Sequence, residues 1–147
     1  MKPDFSTYLR ETEMSKNIID RVDEIFELYK SIFTEDIQDI FIEEWVDSEG
    51  NKSYYSLHFY SEKLDHEIAN FLLNDNIFIV PFSNNVDDIR IERTNYNFNH
   101  PATDASKLVI NMTLSGGTNN CELRATKQNC DQLVLILKKY YLKNFFL

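Results

Sequence analysis

The chain has 147 residues, 43% of them apolar and 14% aromatic, which suits one folded domain and excludes a disordered chain. Its formal net charge is −9, and the excess is local: residues 1–50 hold five Lys/Arg against fourteen Asp/Glu, whereas residues 51–147 hold ten of each. With an acidic first third and a balanced remainder, direct binding to nucleic-acid phosphates or to an anionic membrane surface is not expected.

Residues 1–13 are polar and read as loosely ordered. From about Ser15 to Phe33 the chain predicts an amphipathic helix. Ile18, Val22, Ile25, Tyr29 and Ile32 form its apolar stripe, widened by Ile19, Phe26 and Phe33. Ile37 to Val46 predicts a strand, Asp47 to Lys52 a hairpin loop, and Tyr54 to Tyr60 the return strand. Alternation places Tyr55, Leu57 and Phe59 on one side of that return strand and Tyr54, His58 and Tyr60 on the other. Apolar or aromatic residues on both faces predict two-sided burial, between helices or in a dimer. Leu64, Ile68, Phe71 and Leu72 keep helical spacing, so Ser61 to Leu73 predicts a helix, with a strand over Glu67 to Leu73 as the alternative. Ile77 to Phe82 predicts a short strand that Pro81 assigns to a sheet edge or bulge. A further strand begins at Ile89 and Ile91.

The last forty residues predict strand, turn, strand and helix. Leu108, Ile110, Met112 and Leu114 alternate with Val109, Asn111 and Thr113; Ser115 to Asn119, with Gly116 and Gly117, predicts the reversal; Cys121, Leu123 and Ala125 alternate again. Asn129 predicts a helix N-cap with Gln132 at the capping-box position, and Leu133, Val134, Leu137 and Tyr141 the buried stripe. Short connections between successive strands favour an antiparallel meander. The expected fold is α+β: one domain over residues 1–147, a mostly antiparallel twisted sheet of about six strands, with N-terminal and C-terminal helices packed on it.

Were Ser61 to Leu73 strands, the order over Ile37 to Tyr141 would be about seven strands and a closing helix. That order resembles pleckstrin-homology-like barrels, whose C-terminal helix caps the barrel. Phosphoinositide-binding members of that family carry basic residues around the first hairpin. Here the hairpin loop has Asp47 and Glu49 with Lys52 opposing them, so the resemblance does not imply lipid binding.

Motifs for chemistry are missing. His58, His66 and His100 show no metal-ligand spacing; His58 reads as a packed strand residue and His66 as part of a solvated helix surface. Glu43-Glu44 and Asp87-Asp88 lie on strands, where neighbours point to opposite faces and cannot share a proton. Gly116-Gly117 lacks the lysine of a phosphate loop, and no G-x-S-x-G occurs. Cys121 and Cys130 have no CxxC spacing and read as buried free thiols. Neither catalytic residues, a metal nor a cofactor is expected. Met1-Lys2-Pro3-Asp4 opens no signal peptide and no stretch reaches membrane-span length, so a cytoplasmic location is expected.

The charge pattern carries the functional expectation. At about 100° per residue, Asp20, Asp23, Glu24 and Glu27 fall opposite the apolar stripe of the first helix. Asp20 with Glu24, and Asp23 with Glu27, are like charges four apart, each costing a few tenths of a kcal/mol. Such a face either keeps the protein soluble or meets a basic partner. Glu43, Glu44, Asp47 and Glu49 extend the field around Trp45, and Phe41, Trp45, Tyr54 and Tyr60 are the candidate aromatic anchors. The expected function is a non-enzymatic acidic binding protein that occupies a basic site on a partner protein, of the kind found among immunity proteins and inhibitors of nucleic-acid enzymes or toxins. A dimeric adaptor or secretion-chaperone-like protein that binds an extended peptide is the second expectation. A small-ligand protein or enzyme with an unrecognised pocket is the third.

Overall fold

The computed structural model describes residues 15–46, 52–73, 75–94, 107–114, 120–125 and 129–145. The fold is α+β, with helices at both ends of the described chain and antiparallel strands between them. Helix α1 (Lys16–Ile32) starts at Ser15, whose backbone is extended and whose side-chain oxygen accepts the Ile18 N–H at 3.4 Å. Ile18, Val22, Ile25, Phe26 and Tyr29 are its buried face. The expected stripe stops there. Ile32 is exposed, because the helix ends on that turn and the chain leaves in extended form at Phe33.

Strands β1 (Asp39–Val46), β2 (Lys52–Tyr60), β3 (Leu64–Ala69) and β4 (Val80–Ser83) form one antiparallel sheet in that order. A second antiparallel sheet holds β5 (Val86–Thr94), β6 (Lys107–Leu114) and β7 (Asn120–Ala125). The turn expected over Ser115 to Asn119 lies outside the described residues, as does any continuation through Tyr96 and Phe98.

The helix expected over Ser61 to Leu73 is instead strand β3 and the turn that follows it. Leu57 faces Ile68 and Tyr60 faces Asp65 across the β2–β3 ladder. Pairing satisfies the backbone of β2, which a helix here would have left open. It also sends the adjacent Asp65 and His66 into opposite layers, where each finds a buried hydrogen-bond partner. Asn70 ends the strand in the left-handed region at φ 53°, a conformation asparagine tolerates. With β3 a strand, the element order is the seven strands and closing helix of the barrel alternative.

Two-sided burial of the β1–β2 hairpin is observed. On one side Ile40, Ile42, Leu57, Phe59, Ile68 and Phe71 pack under α1. On the other, Phe41 and Tyr60 join Val86, Leu123, Ala125, Leu133, Ile136, Leu137, Tyr140 and Tyr141. The first sheet is therefore the middle layer. A bulge modifies the alternation: between Ile42–Leu57 and Glu44–Tyr54 the register advances two residues on β1 and three on β2. Tyr54 consequently packs with Leu57 and Phe59 on the α1 side, not with His58 and Tyr60 as alternation predicts.

Helix α2 (Cys130–Ile136) contributes Leu133 and Ile136 to the second core, with Val134 and Cys130 half-buried beside it. Asn129 makes no side-chain capping bond. Its Nδ2 donates to Ile42 O at 2.8 Å, and Gln132 Nε2 donates to Ile40 O at 2.8 Å. Both residues are spent on β1, which ends the sheet and whose outward carbonyls would otherwise be buried without donors. After Ile136 the helix widens to a π-turn (Leu137–Tyr141), with Leu142 N–H bonded to Leu137 O.

Candidate functional site

Two groupings of polar residues stand out, one on the surface and one in the core. The surface grouping is the acidic face of α1. Asp20, Glu24 and Glu27 keep side-chain exposures of 59%, 62% and 61%, and Asp23 is half-buried. The helix places them opposite its buried stripe because 3.6 residues per turn separates the two sets. Partial neutralisation comes from the same helix: Lys16 lies 3.0 Å from Asp20, Arg21 3.1 Å from Glu24 and Lys30 3.2 Å from Glu27. The Lys16 and Lys30 pairs are open to solvent, contribute between nothing and about 1 kcal/mol and are screened by salt, whereas the Arg21 side chain is 17% exposed.

The other expected partner-binding residues do not join this face. Glu43 and Glu44 are buried. Glu43 turns toward β7, where the Arg124 backbone N–H donates to its Oε2 at 3.1 Å, and burial pushes its carboxyl above the usual range. Glu44 sits opposite Tyr54, whose phenol is pushed up by burial and then by the Glu44 charge. The Trp45 side chain, Asp47 and Glu49 lie outside the described residues. Among the expected aromatic anchors, Phe41 and Tyr60 are core residues and Tyr54 packs against the α1 cluster.

The core grouping is Ser56, His58, Asp65 and Tyr141, all buried. Ser56 and His58 are two apart on β2, and Asp65 stands on the paired strand one step along, so all three share the face opposite α1. His58 Nδ1 lies 2.9 Å from Asp65 Oδ1 and 3.0 Å from Oδ2, and Nε2 lies 2.9 Å from Ser56 Oγ. The Tyr141 hydroxyl donates to Asp65 Oδ2 at 3.2 Å and lies 3.3 Å from the Tyr60 hydroxyl. Sequence reading missed this group. The period-2 run Ser56-His58-Tyr60 was visible, but its carboxylate partner fell in a segment read as helix.

The order Ser–His–Asp is that of a nucleophile relay, in which a neutral imidazole accepts the serine proton. Burial acts to lower the His58 pKa, but Asp65, then Glu67 and Glu43, more than offset it and push it up to about 9. These charges favour the protonated ring. In that form Nδ1–H donates to Asp65 and Nε2–H to the Ser56 oxygen. What this arrangement does is tie β2, β3 and the C-terminal helix together by a buried ion pair.

His66 is on the opposite side of the sheet, fully buried, not on a solvated surface as expected. Its Nδ1–H donates to Phe59 O at 3.0 Å, and Nε2 lies 3.3 Å from the Tyr29 hydroxyl. The Tyr29 and Phe33 rings flank it at 4.8 and 5.3 Å. At the far end of β1, Asp39 accepts from Lys139 Nζ at 2.7 Å and from the Tyr140 hydroxyl.

Among the described residues, no three His, Cys, Asp or Glu side chains gather as a metal site, and no helix is long and apolar enough to cross a membrane. Comparison with protein-family models, with curated proteins and with solved structures finds no match. The likeness to pleckstrin-homology-like barrels is thus one of element order.

Proposed function

We propose that the chain is a non-enzymatic acidic binding protein that occupies a basic surface of a partner macromolecule, as an immunity or inhibitor protein of a nucleic-acid enzyme or toxin does. One observation carries this reading: Asp20, Glu24 and Glu27 project from one exposed face of α1, while the opposite face supplies the core. The single-residue ion pairs on that face are weak enough to be exchanged for a partner's cations. Charge of this kind acts chiefly on the rate of encounter.

The test is kinetic. The partner is isolated by pull-down from the native cell, and association is followed while salt is raised. The on-rate of the wild type falls with salt, since screening shortens the field to about 8–10 Å near physiological ionic strength. Replacing Asp20, Glu24 and Glu27 with their amides slows association and flattens the salt slope. Equal rates and equal slopes for the two proteins would remove the acidic face from the binding surface.

The second reading, a dimeric adaptor or peptide-binding protein, is favoured by β4. It ends the first sheet and exposes Val80. Salt-resistant self-association would support it over the first.

A further inference from the structure

The connection from β3 to β4 is divided between core and solvent. Phe71, Ile77 and Ile79 pack under α1. Leu72, Leu73, Phe78 and Val80 remain outside, with Leu73 79% and Phe78 63% exposed. Phe78 and Val80 are two apart, with the packed Ile79 between them, so alternation turns both away from α1. Leu72 and Leu73 are adjacent on the turn after Phe71, and exposed large apolar neighbours offer a contact surface.

Charge surrounds these side chains. Arg21 joins the loop to the acidic face of α1: its Nε donates to Phe71 O at 2.8 Å and its Nη1 lies 3.1 Å from Glu24. Glu24 is thereby held beside the turn that carries Leu72 and Leu73, with Asp20 and Glu27 along the same helix face. Asp75 is exposed within the loop, and Glu67 stands opposite Val80 on β3. A second copy of the chain would bring the same acids together. Pro81 withholds one backbone donor from this strand, which works against simple addition of a strand to its edge.

We infer that Leu72 and Leu73, on the turn after β3, are the apolar anchor of the partner surface, and that they take a protein segment bearing a leucine or aromatic side chain flanked by lysine or arginine. The inference rests on the acidic-face reading above and adds the partner's chemistry: its cations meet Glu24 and its α1 neighbours, and its apolar side chain covers Leu72 and Leu73. Apolar anchors of this kind set the lifetime of a complex that charge brings together.

Two synthetic peptides of equal charge test it, one with lysines separated by leucine, the other with lysines separated by serine. Each is titrated into the full chain at low and high salt by fluorescence anisotropy. The leucine peptide is expected to bind about tenfold more tightly. The difference is expected to vanish in a Leu72→Ser, Leu73→Ser variant, whose melting curve checks its folding. The Asp20→Asn, Glu24→Gln, Glu27→Gln variant is expected to weaken both peptides alike and to remove their salt dependence. Equal affinities for the two peptides, or an unchanged ratio in the serine variant, overturn the anchor and leave the acidic reading standing. Binding of the leucine peptide that ignores both salt and the amide variant overturns the acidic reading instead. A sedimenting dimer abolished by Leu73→Ser assigns the turn to a second copy and overturns the inference. Failure of both peptides to bind at low salt overturns inference and reading together.

Discussion

The His58 imidazole meets both carboxylate oxygens of Asp65, at 2.9 and 3.0 Å, with the two side chains 1% and 2% exposed. A charged pair this deep is costly to form and more costly to break. Its pH signature follows from the ring. The folded-state pKa of His58 is raised from 6.5 to about 9, so its contribution to stability is whole below pH 6.5 and is lost as pH rises through about 9. Urea unfolding between pH 6 and 9.5 is expected to show a decline approaching 3 kcal/mol, on the order of the shift converted to energy. A His58→Gln variant is expected to be flat over that window, and an equally steep curve for it would assign the decline elsewhere. Asp65→Asn removes the main charge that keeps a proton on the buried ring and breaks the pair, and is expected to cost about 3–5 kcal/mol at pH 7.

Tyr141→Phe keeps the ring, which stands edge-on to Tyr60 at 6.0 Å, and removes only the hydroxyl that reaches Asp65 and Tyr60. The expected loss is about 1–3 kcal/mol, the range for a bond to a charged acceptor. Hydrogen exchange provides the second readout: amides of 137–141 should exchange faster while those of α1 do not change. Uniform acceleration would mean the hydroxyl serves the whole fold and not this helix.

The β1 carbonyls provide a test of edge protection. Asn129→Ala removes the donor to Ile42 O in a fully buried setting and is expected to cost about 1–3 kcal/mol. Since Asn129 makes no side-chain capping bond, Asn129→Ser, a good N-cap too short to make the same reach, should not restore stability. Restoration by serine would show that capping is what the residue supplies.

Leu133→Ala tests whether the C-terminal helix is part of the core. Leu133 is fully buried with Leu123, Ala125 and Tyr140 in its cluster. A loss of about 2–5 kcal/mol in denaturant unfolding is expected. A change under about 0.5 kcal/mol, the size of a neutral surface substitution, would detach the helix from the core.

Much of this fold was legible because burial followed local periods. Ile18, Val22, Ile25 and Tyr29 recur at helical spacing and are buried; the apolar residues on both faces of β1 and β2 announced the two-sided layer. The misses share a cause. Leu64, Ile68, Phe71 and Leu72 mimic a helix, and only long-range pairing with β2 shows that Asp65 and His66 are interior. Glu43 read as surface charge because its donor, the Arg124 N–H, is 81 residues away. Asn129 read as a cap because its acceptor lies 87 residues back. Polar residues that a distant segment satisfies give no local signal, so the core network was hidden while the acidic face of α1 was plain.

The π-turn after Ile136 gives the C-terminal helix one residue more than a regular α-helix needs over that stretch, and Tyr140 and Tyr141, neighbours in the chain, are both buried there. Tyr140 stacks on Tyr60 at 4.9 Å and Tyr141 meets the same ring edge-on. Deleting Lys138 or Lys139, both exposed, would remove no core atom, yet it would take the extra residue out of the π-turn, close it to a regular α-helix and shift both tyrosines about the axis. The tyrosines would lose their hold on Tyr60, Asp39 and Asp65 at once. Spacing, independent of residue identity, is thus the fragile quantity here, and a codon lost at a solvent-facing lysine would damage the interior as a core truncation does.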